Sequence, residues 1–268
     1  MAHARKRAVA RIVARIVARI VAVGVAVCGA LSIGRAASAQ LPIGDSSMPR
    51  RTVAAGIRPG QFIYQATLER GTSTTIIGTR TVTVAPATYG GAPMWLLLET
   101  RSGDGIAAVD SLYLNYTSLR PVHWSSMLGD ARVAAEFRGD TAFGGVTSPA
   151  GRRSMITRVP TGVLVNGTML ETVLRAAPLQ TAWEDSTAML SISLGSSDVL
   201  PTRMSVIGDD RVRVPAGTFD CWVVAVHADP ARGLYWVTKQ NPMVVRSTID
   251  VPALGGAQLV NSLISATP

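Results

Sequence analysis

Beyond the N-terminal region of this 268-residue chain, the side chains best suited to chemistry are His123, His227 and Cys221. Metal sites built from His and Cys space their ligands closely, and neither His-Glu-x-x-His nor Cys-x-x-Cys occurs, so no metal is implied. A nucleophilic triad can be written from Ser125 or Ser126, His123 or His227, and an acid. Serines and acids are plentiful enough for that to arise by chance, and no Gly-x-Ser-x-Gly elbow presents a nucleophile. Gly103-Asp104-Gly105 lacks the third glycine and the following helix of a dinucleotide loop, and no cofactor is implied. Ser196-Ser197-Asp198 and the acids after Gly208, Asp209-Asp210, read as solvated turns. His227 falls at a strand end, a rim position. Cys221 has apolar neighbours and reads as a small buried hydrophobe. The sequence leans away from an enzyme.

The first 39 residues carry seven basic side chains and no acid. An apolar run from Ile20 to Gly34 follows the basic region, and then Arg35-Ala-Ala-Ser-Ala39 offers small residues at Ala37 and Ala39. That order is a cleavable export signal, placing the mature N-terminus at Gln40. The apolar run falls short of the roughly 20 residues that a membrane-spanning helix needs, so no stable span is expected after cleavage. Without the signal the formal charge falls from +9 to +2, with 19 basic residues against 17 acidic. A nucleic-acid role therefore loses its electrostatic basis. Cys28 leaves with the signal, so the exported fold has no internal disulfide and must rest on its core.

Residues 40–60, with Pro42, Pro49 and Pro59, read as an irregular opening segment before a β-rich domain at 61–268. There, short alternating or apolar runs are separated by Gly, Pro, Asp and Ser. The pattern predicts strands at 61–69, 74–84, 93–100, 110–115, 122–127, 132–137, 153–158, 189–194, 203–206, 211–214, 218–227, 233–239 and 244–251. Their spacing predicts a mainly β, antiparallel architecture. One hairpin is sharply defined: in Val214-Pro215-Ala216-Gly217 the proline presets a turn position and the glycine supplies a positive φ. One helix is expected at 168–177. Thr168 and Glu171 fit a capping box, Met169, Leu170, Val173, Leu174 and Ala177 form one apolar stripe, and Pro178 ends it. A helix this short must dock on the sheet to persist.

Two strands are apolar on both faces. At 218–227 Phe219, Cys221, Val223 and Ala225 alternate with Trp222, Val224 and Val226, and at 93–100 the run is Trp95-Leu96-Leu97-Leu98. A strand with one wet side would alternate, so these are covered twice, either by a second layer or by an apolar cavity. Core packing is the default for the tryptophans. If a cavity exists, Trp95, Leu97, Trp222 and Val224 on the strands and Leu170 and Leu174 on the helix are the expected lining.

The segment Arg211-Val-Arg-Val-Pro-Ala-Gly-Thr-Phe-Asp-Cys-Trp222, with Leu234-Tyr-Trp-Val-Thr-Lys-Gln-Asn-Pro-Met-Val-Val-Arg-Ser247, resembles the end of the bacterial exported proteins grouped as domain of unknown function 3108. Arg58-Pro-Gly-Gln61, Asp110-Ser-Leu-Tyr113, Leu119-Arg-Pro121 and Ala177-Pro-Leu179 extend that resemblance along the chain in order. The group is similar to the envelope lipoprotein-carrier (LolA/LolB-like) folds. The resemblance implies a single curved antiparallel sheet, an unclosed half-barrel, with a short helix on its concave face and room for acyl chains. It supplies no catalytic residues. The expected product is an exported protein of the periplasm or cell envelope that binds a lipid or other apolar small molecule. A structural or interaction protein with a filled core is the alternative, and a hydrolase without a recognisable motif ranks third.

Overall fold

The computed structural model describes residues 54–103, 106–192 and 197–267. The export signal expected at 1–39 lies outside the described residues. Fourteen strands form one antiparallel sheet that does not close into a barrel. In chain order they are β1 (Gly60–Arg70), β2 (Ser73–Tyr89), β3 (Ala92–Gly103), β4 (Ile106–Asn115), β5 (Pro121–Leu128), β6 (Ala131–Arg138), β7 (Thr141–Ser148) and β8 (Gly151–Arg158). Helix α1 (Gly167–Ala176) follows. Then come β9 (Glu184–Ile192), β10 (Ser197–Val214), β11 (Gly217–Ala228), β12 (Ala231–Thr238), β13 (Val244–Val251) and β14 (Ala257–Thr267).

The spatial order, β8-β7-β6-β5-β4-β3-β2-β1-β14-β13-β12-β11-β10-β9, is two hairpin meanders joined where β1 pairs with β14. The connection from β8 to β9 therefore runs from one edge of the sheet to the other, and α1 lies on it. Curling brings those edges towards each other, and the Thr157 and Ser197 hydroxyls hydrogen-bond between β8 and β10. Part of the connection also covers an edge. Leu164 N–H donates to Ala188 O at 2.8 Å, and Leu190 N–H donates to Leu164 O at 2.7 Å, so the outer side of β9 is partly paired.

The curl has local causes. Register shifts at Ile63/Tyr64, Ala66/Thr67, Tyr113/Leu114, Val206/Gly208 and Trp236/Val237 bend and twist their strands. Across β2 and β3 the backbones at Gly78 and Gly103 approach so closely that a Cβ on either would lie about 2 Å from a facing carbonyl oxygen, Ser102 O or Ile77 O. Only glycine fits there.

Strand alternation sends one set of side chains inward, including Tyr64 and Val82 with Leu97 and Leu112 on the neighbouring strands. Helix α1 fills the concavity, and Met169, Leu170, Val173 and Leu174 are essentially inaccessible to solvent. The opposite flank of the helix, Thr168, Glu171 and Thr172, is buried as well. This overturns the capping box expected from the sequence. The N-cap is Asn166, whose Oδ1 accepts from Met169 N–H at 2.9 Å, while Thr168 and Glu171 point their polar atoms at the sheet. The helix ends at Ala176, immediately before Ala177-Pro178.

Four other sequence expectations are corrected. Strands β7 and β14 are absent from the predicted set, since Gly144 and Gly145 dilute the first and the second alternates weakly. The runs at 203–206 and 211–214 belong to one strand, β10, interrupted only by its bulge. Asp209 and Asp210 accordingly sit in a strand rather than a turn, Asp209 beside Lys239 Nζ at 2.7 Å and Asp210 accepting from Trp236 Nε1 at 3.1 Å. Of the opening segment, 54–56 forms a helical turn, and Ala54 and Ile57 are buried in the core.

Candidate functional site

A buried cluster of charges fastens α1 to the sheet. Arg80 on β2 donates from Nη1 to Glu171 Oε1 and from Nη2 to Glu99 Oε2 on β3, both at 2.8 Å. The Thr168 hydroxyl donates to Glu99 Oε2, and Arg101 Nε donates to Glu99 Oε1. Arg101 Nη2 also lies 3.5 Å from Asp110 Oδ2 on β4. Arg80, Glu99 and Arg101 face inward because they continue the alternation of Val82 and Leu97 along their strands.

Burial sets the electrostatics of this cluster. It pushes the Glu99 carboxyl upward, but Arg101 and Arg80 outweigh that and hold it well below the usual carboxylate range. Burial likewise opposes the charge on Arg80, yet Glu171 and Glu99 raise its affinity for the proton above the ordinary value. For Asp110 burial wins: its carboxyl is raised, with Arg101 opposing and Glu99 reinforcing the shift. Glu171 is also raised by burial, against the pull of Arg80.

Beside the cluster is a cavity of about 240 Å³ between the sheet and the N-terminal half of α1. This is somewhat below the roughly 300–1,000 Å³ usual for small-molecule sites. Its wall is mostly apolar, with Ile77, Leu170, Leu190, Val226, Val251 and Leu259 among its residues. The polar side of the wall is made by Arg80, Glu99, Arg101, Asp110, Trp124 and Glu171. Trp124 Nε1 and Asp110 Oδ1 are buried and have no hydrogen-bond partner among the described residues.

Of the lining residues expected from sequence, Leu170 borders the cavity. Trp95, Leu97, Leu174 and Val224 are buried in the surrounding core. Trp222 shares a strand face with Val224 and Val226 but lies farther along β11, half-buried, with Lys239 Nζ 4.3 Å from its ring centre. The polar wall was missed by sequence reasoning. Its one available signal was a charged residue at an inward position on two neighbouring strands, Arg80 after Gly78 and Glu99 after Leu97.

None of the residues considered for catalysis lines the cavity. His123 Nδ1 bonds Glu136 Oε1 at 2.7 Å and its ring stacks on Tyr89. Ser125 shares a hydrogen bond with Ser111, Ser126 is buried beside Asp110, and His227 is exposed. A second hollow, near Asp209, Arg211, Asp220 and Lys239, is polar, and its charges pair with one another. Among the described residues no group of three or more His, Cys, Asp or Glu could hold a metal ion. No described helix is long and apolar enough to cross a membrane.

An open antiparallel sheet wrapped around one helix, with a partly polar cavity between them, defines the class of protein by architecture. The chain belongs to the family described as protein of unknown function (DUF3108), whose model matches residues 63–258. No curated protein matches it. Among solved structures it is similar to a β-barrel-like protein of domain of unknown function DUF1849 from Brucella abortus, at 14% identity and TM-score 0.48, covering 79% of this chain and 98% of that one. It is also similar to a DUF1329 family protein from Desulfovibrio piger, at 11% identity and TM-score 0.24, covering 81% of this chain and 92% of that one.

Proposed function

We propose that this protein is exported to the periplasm or cell envelope and holds an apolar, lipid-like small molecule between its curved sheet and helix α1, in the manner of the envelope lipoprotein carriers. The observation that carries the reading is the cavity of about 240 Å³, apolar over most of its wall and bordered by Leu170 of the helix. A core packed to the density of ordinary protein interiors leaves few voids larger than a water molecule. An alkyl chain placed there gains roughly 0.8 kcal/mol for each CH₂ removed from water, without cofactor or covalent chemistry. The order of basic region, apolar run and small residues in 1–39 supports export.

Native mass spectrometry of the protein purified from its own host tests both parts. The expected mass begins at Gln40 and carries a dissociable, chloroform-soluble adduct. A retained Met1–Ala39 segment would sink the export assignment. Protein that is ligand-free, and that neither enhances nor retains an apolar fluorophore such as N-phenyl-1-naphthylamine, would leave a structural domain with a filled core.

A further inference from the structure

Of the buried side-chain atoms that lack a hydrogen-bond partner, two belong to residues of the cavity wall: Trp124 Nε1, a donor, and Asp110 Oδ1. Each residue is more than nine-tenths buried. They lie on paired strands, Asp110 opposite Ser126 and Trp124 opposite Leu112, so they are diagonal neighbours on one face of the sheet. Such positions are roughly 7–8 Å apart at the backbone, within reach of one small polar group placed between their side chains. Buried polar groups in native proteins are overwhelmingly paired, and leaving a donor and an acceptor unmatched on one cavity wall is costly. Of the other carboxylate oxygens, Glu99 uses both with Arg80, Arg101 and Thr168, Glu171 Oε1 is held by Arg80, and Asp110 Oδ2 faces Arg101, with the Ser126 hydroxyl also beside that carboxyl.

We propose that Trp124 and Asp110 form the head-group end of the cavity and take an uncharged group that accepts one hydrogen bond and donates another, a hydroxyl or an N–H amide, at the end of an apolar chain. The proposal rests on the apolar-ligand reading above and adds the chemistry of the ligand's polar end. A carboxylate offers acceptors only; it would match the indole N–H but meet Asp110 as a second anion, with Glu99 close behind. An ammonium offers donors only; it would match Asp110, leave the indole N–H unmet and lie beside Arg101. An ester accepts but cannot donate. A hydroxyl or amide satisfies both atoms at once, while Ile77, Leu170 and Leu259 cover the chain that bears it. Sites built to hydrogen-bond a hydroxyl reject analogues lacking it far more strongly than apolar pockets reject a missing methylene.

The test is displacement of N-phenyl-1-naphthylamine from the full protein at neutral pH by decan-1-ol, methyl nonanoate and decanoate. Decanol is expected to displace the dye at about tenfold lower concentration than the ester, the scale of one to two ordinary hydrogen bonds. Any apolar cavity favours a neutral end over a charged one, so the variants carry the decision. Trp124→Phe should lower decanol and ester affinity alike, several-fold, because both accept from the indole N–H, while the dye itself still binds. Asp110→Asn should erase decanol's advantage over the ester and raise decanoate affinity several-fold, because the amide N–H now donates to the ester or carboxylate oxygen. Equal displacement by decanol and ester, or an advantage of decanol that survives Asp110→Asn, overturns the head-group site while leaving apolar binding intact. Failure of the dye to bind the wild-type protein overturns the apolar-ligand reading itself, and the head-group site with it.

Discussion

Arg80 and Glu171, 91 positions apart in the chain, meet at 2.8 Å inside the fold, and both are almost wholly buried. One guanidinium joins a strand of the first meander to the helix that crosses between the two edges of the sheet. Glu99 and Thr168 make a second strand-to-helix bond beside it. A buried ion pair is weak evidence for stability, because desolvation can cancel its attraction. Its directional bonds nonetheless select one docking of a ten-residue helix whose apolar flank alone could slide.

Removing Arg80 should therefore be worse than its net contribution suggests. Arg80→Met strands Glu171 and one side of Glu99 in the interior, and breaking such a pair costs about 3–5 kcal/mol. The loss should depend on pH. Without Arg80 both folded-state carboxyl values rise. Arg101 still holds Glu99, but Glu171, already raised by burial, goes further above its unfolded value. The folded variant therefore binds a proton that the unfolded chain releases, and it gains stability as pH falls from neutral towards about 4. In the wild type the depressed Glu99 works the other way: its contribution is present above the unfolded carboxylate value and is lost as pH falls towards the folded one. The gap between wild type and variant should thus narrow on acidification. Urea unfolding at pH 7 and pH 5 measures it, and a gap that widens at pH 5 would mean that the carboxyls are not buried.

Cys221 should react slowly in the native protein. Its side chain is inaccessible, and burial together with Asp210 and Asp220 pushes the thiol up to about 12, so almost none of the reactive thiolate forms at neutral pH. Maleimide labelling should follow unfolding and become fast in denaturant. Complete native labelling within minutes would show that β11 opens locally.

The hairpin between β10 and β11 gives a sharp comparison of two adjacent residues. Gly217 has φ +141°, and a Cβ there would meet Phe219 only at 3.5 Å, an ordinary contact. The penalty for Gly217→Ala is therefore backbone strain, of order 1–3 kcal/mol. Ala216 is half-buried, and its amide donates to Leu263 O at 3.0 Å. Ala216→Ser keeps that amide and should cost about a few tenths of a kcal/mol. Thermal unfolding of the two variants separates them, and equal losses would count against strain at Gly217.

Turns and strand composition make the meanders readable, because the Pro215-Ala216 turn and the apolar runs of β3 and β11 are local properties of the chain. The capping of α1 is misread from sequence because a local rule competes with tertiary partners: Thr168 and Glu171 have the right spacing for a capping box, but Glu99 and Arg80 take their polar atoms, and Asn166 caps instead. The polar cavity wall is illegible for a related reason. Asp110 and Trp124 are brought together by strand register, and nothing in either residue's neighbourhood along the chain announces the other. The double-sided apolar strands do signal an enclosed interior, yet Trp95 and Leu97 fall in its packed part while the cavity lies towards Glu99 and Arg101 on the same strand.

That separation between packed and hollow parts extends along the helix. Leu170 borders the cavity, whereas Leu174, one turn later, is wholly enclosed by core side chains. Leu174→Asp places a carboxylate where no partner is available, and a buried unpaired charge costs several kcal/mol, so the melting temperature should fall sharply and dye binding should be lost with the fold. Leu170→Ala removes wall and contact together. It should cost about 2–5 kcal/mol, towards the lower end because a hollow already lies on one side, and it should shift dye binding in protein that is still folded. Melting temperature and dye binding, read on both variants, test the assignment. If Leu174→Asp keeps a wild-type melting temperature and loses only the dye, the helix is a lid that swings into water, and the Arg80–Glu171 bond does not fasten it.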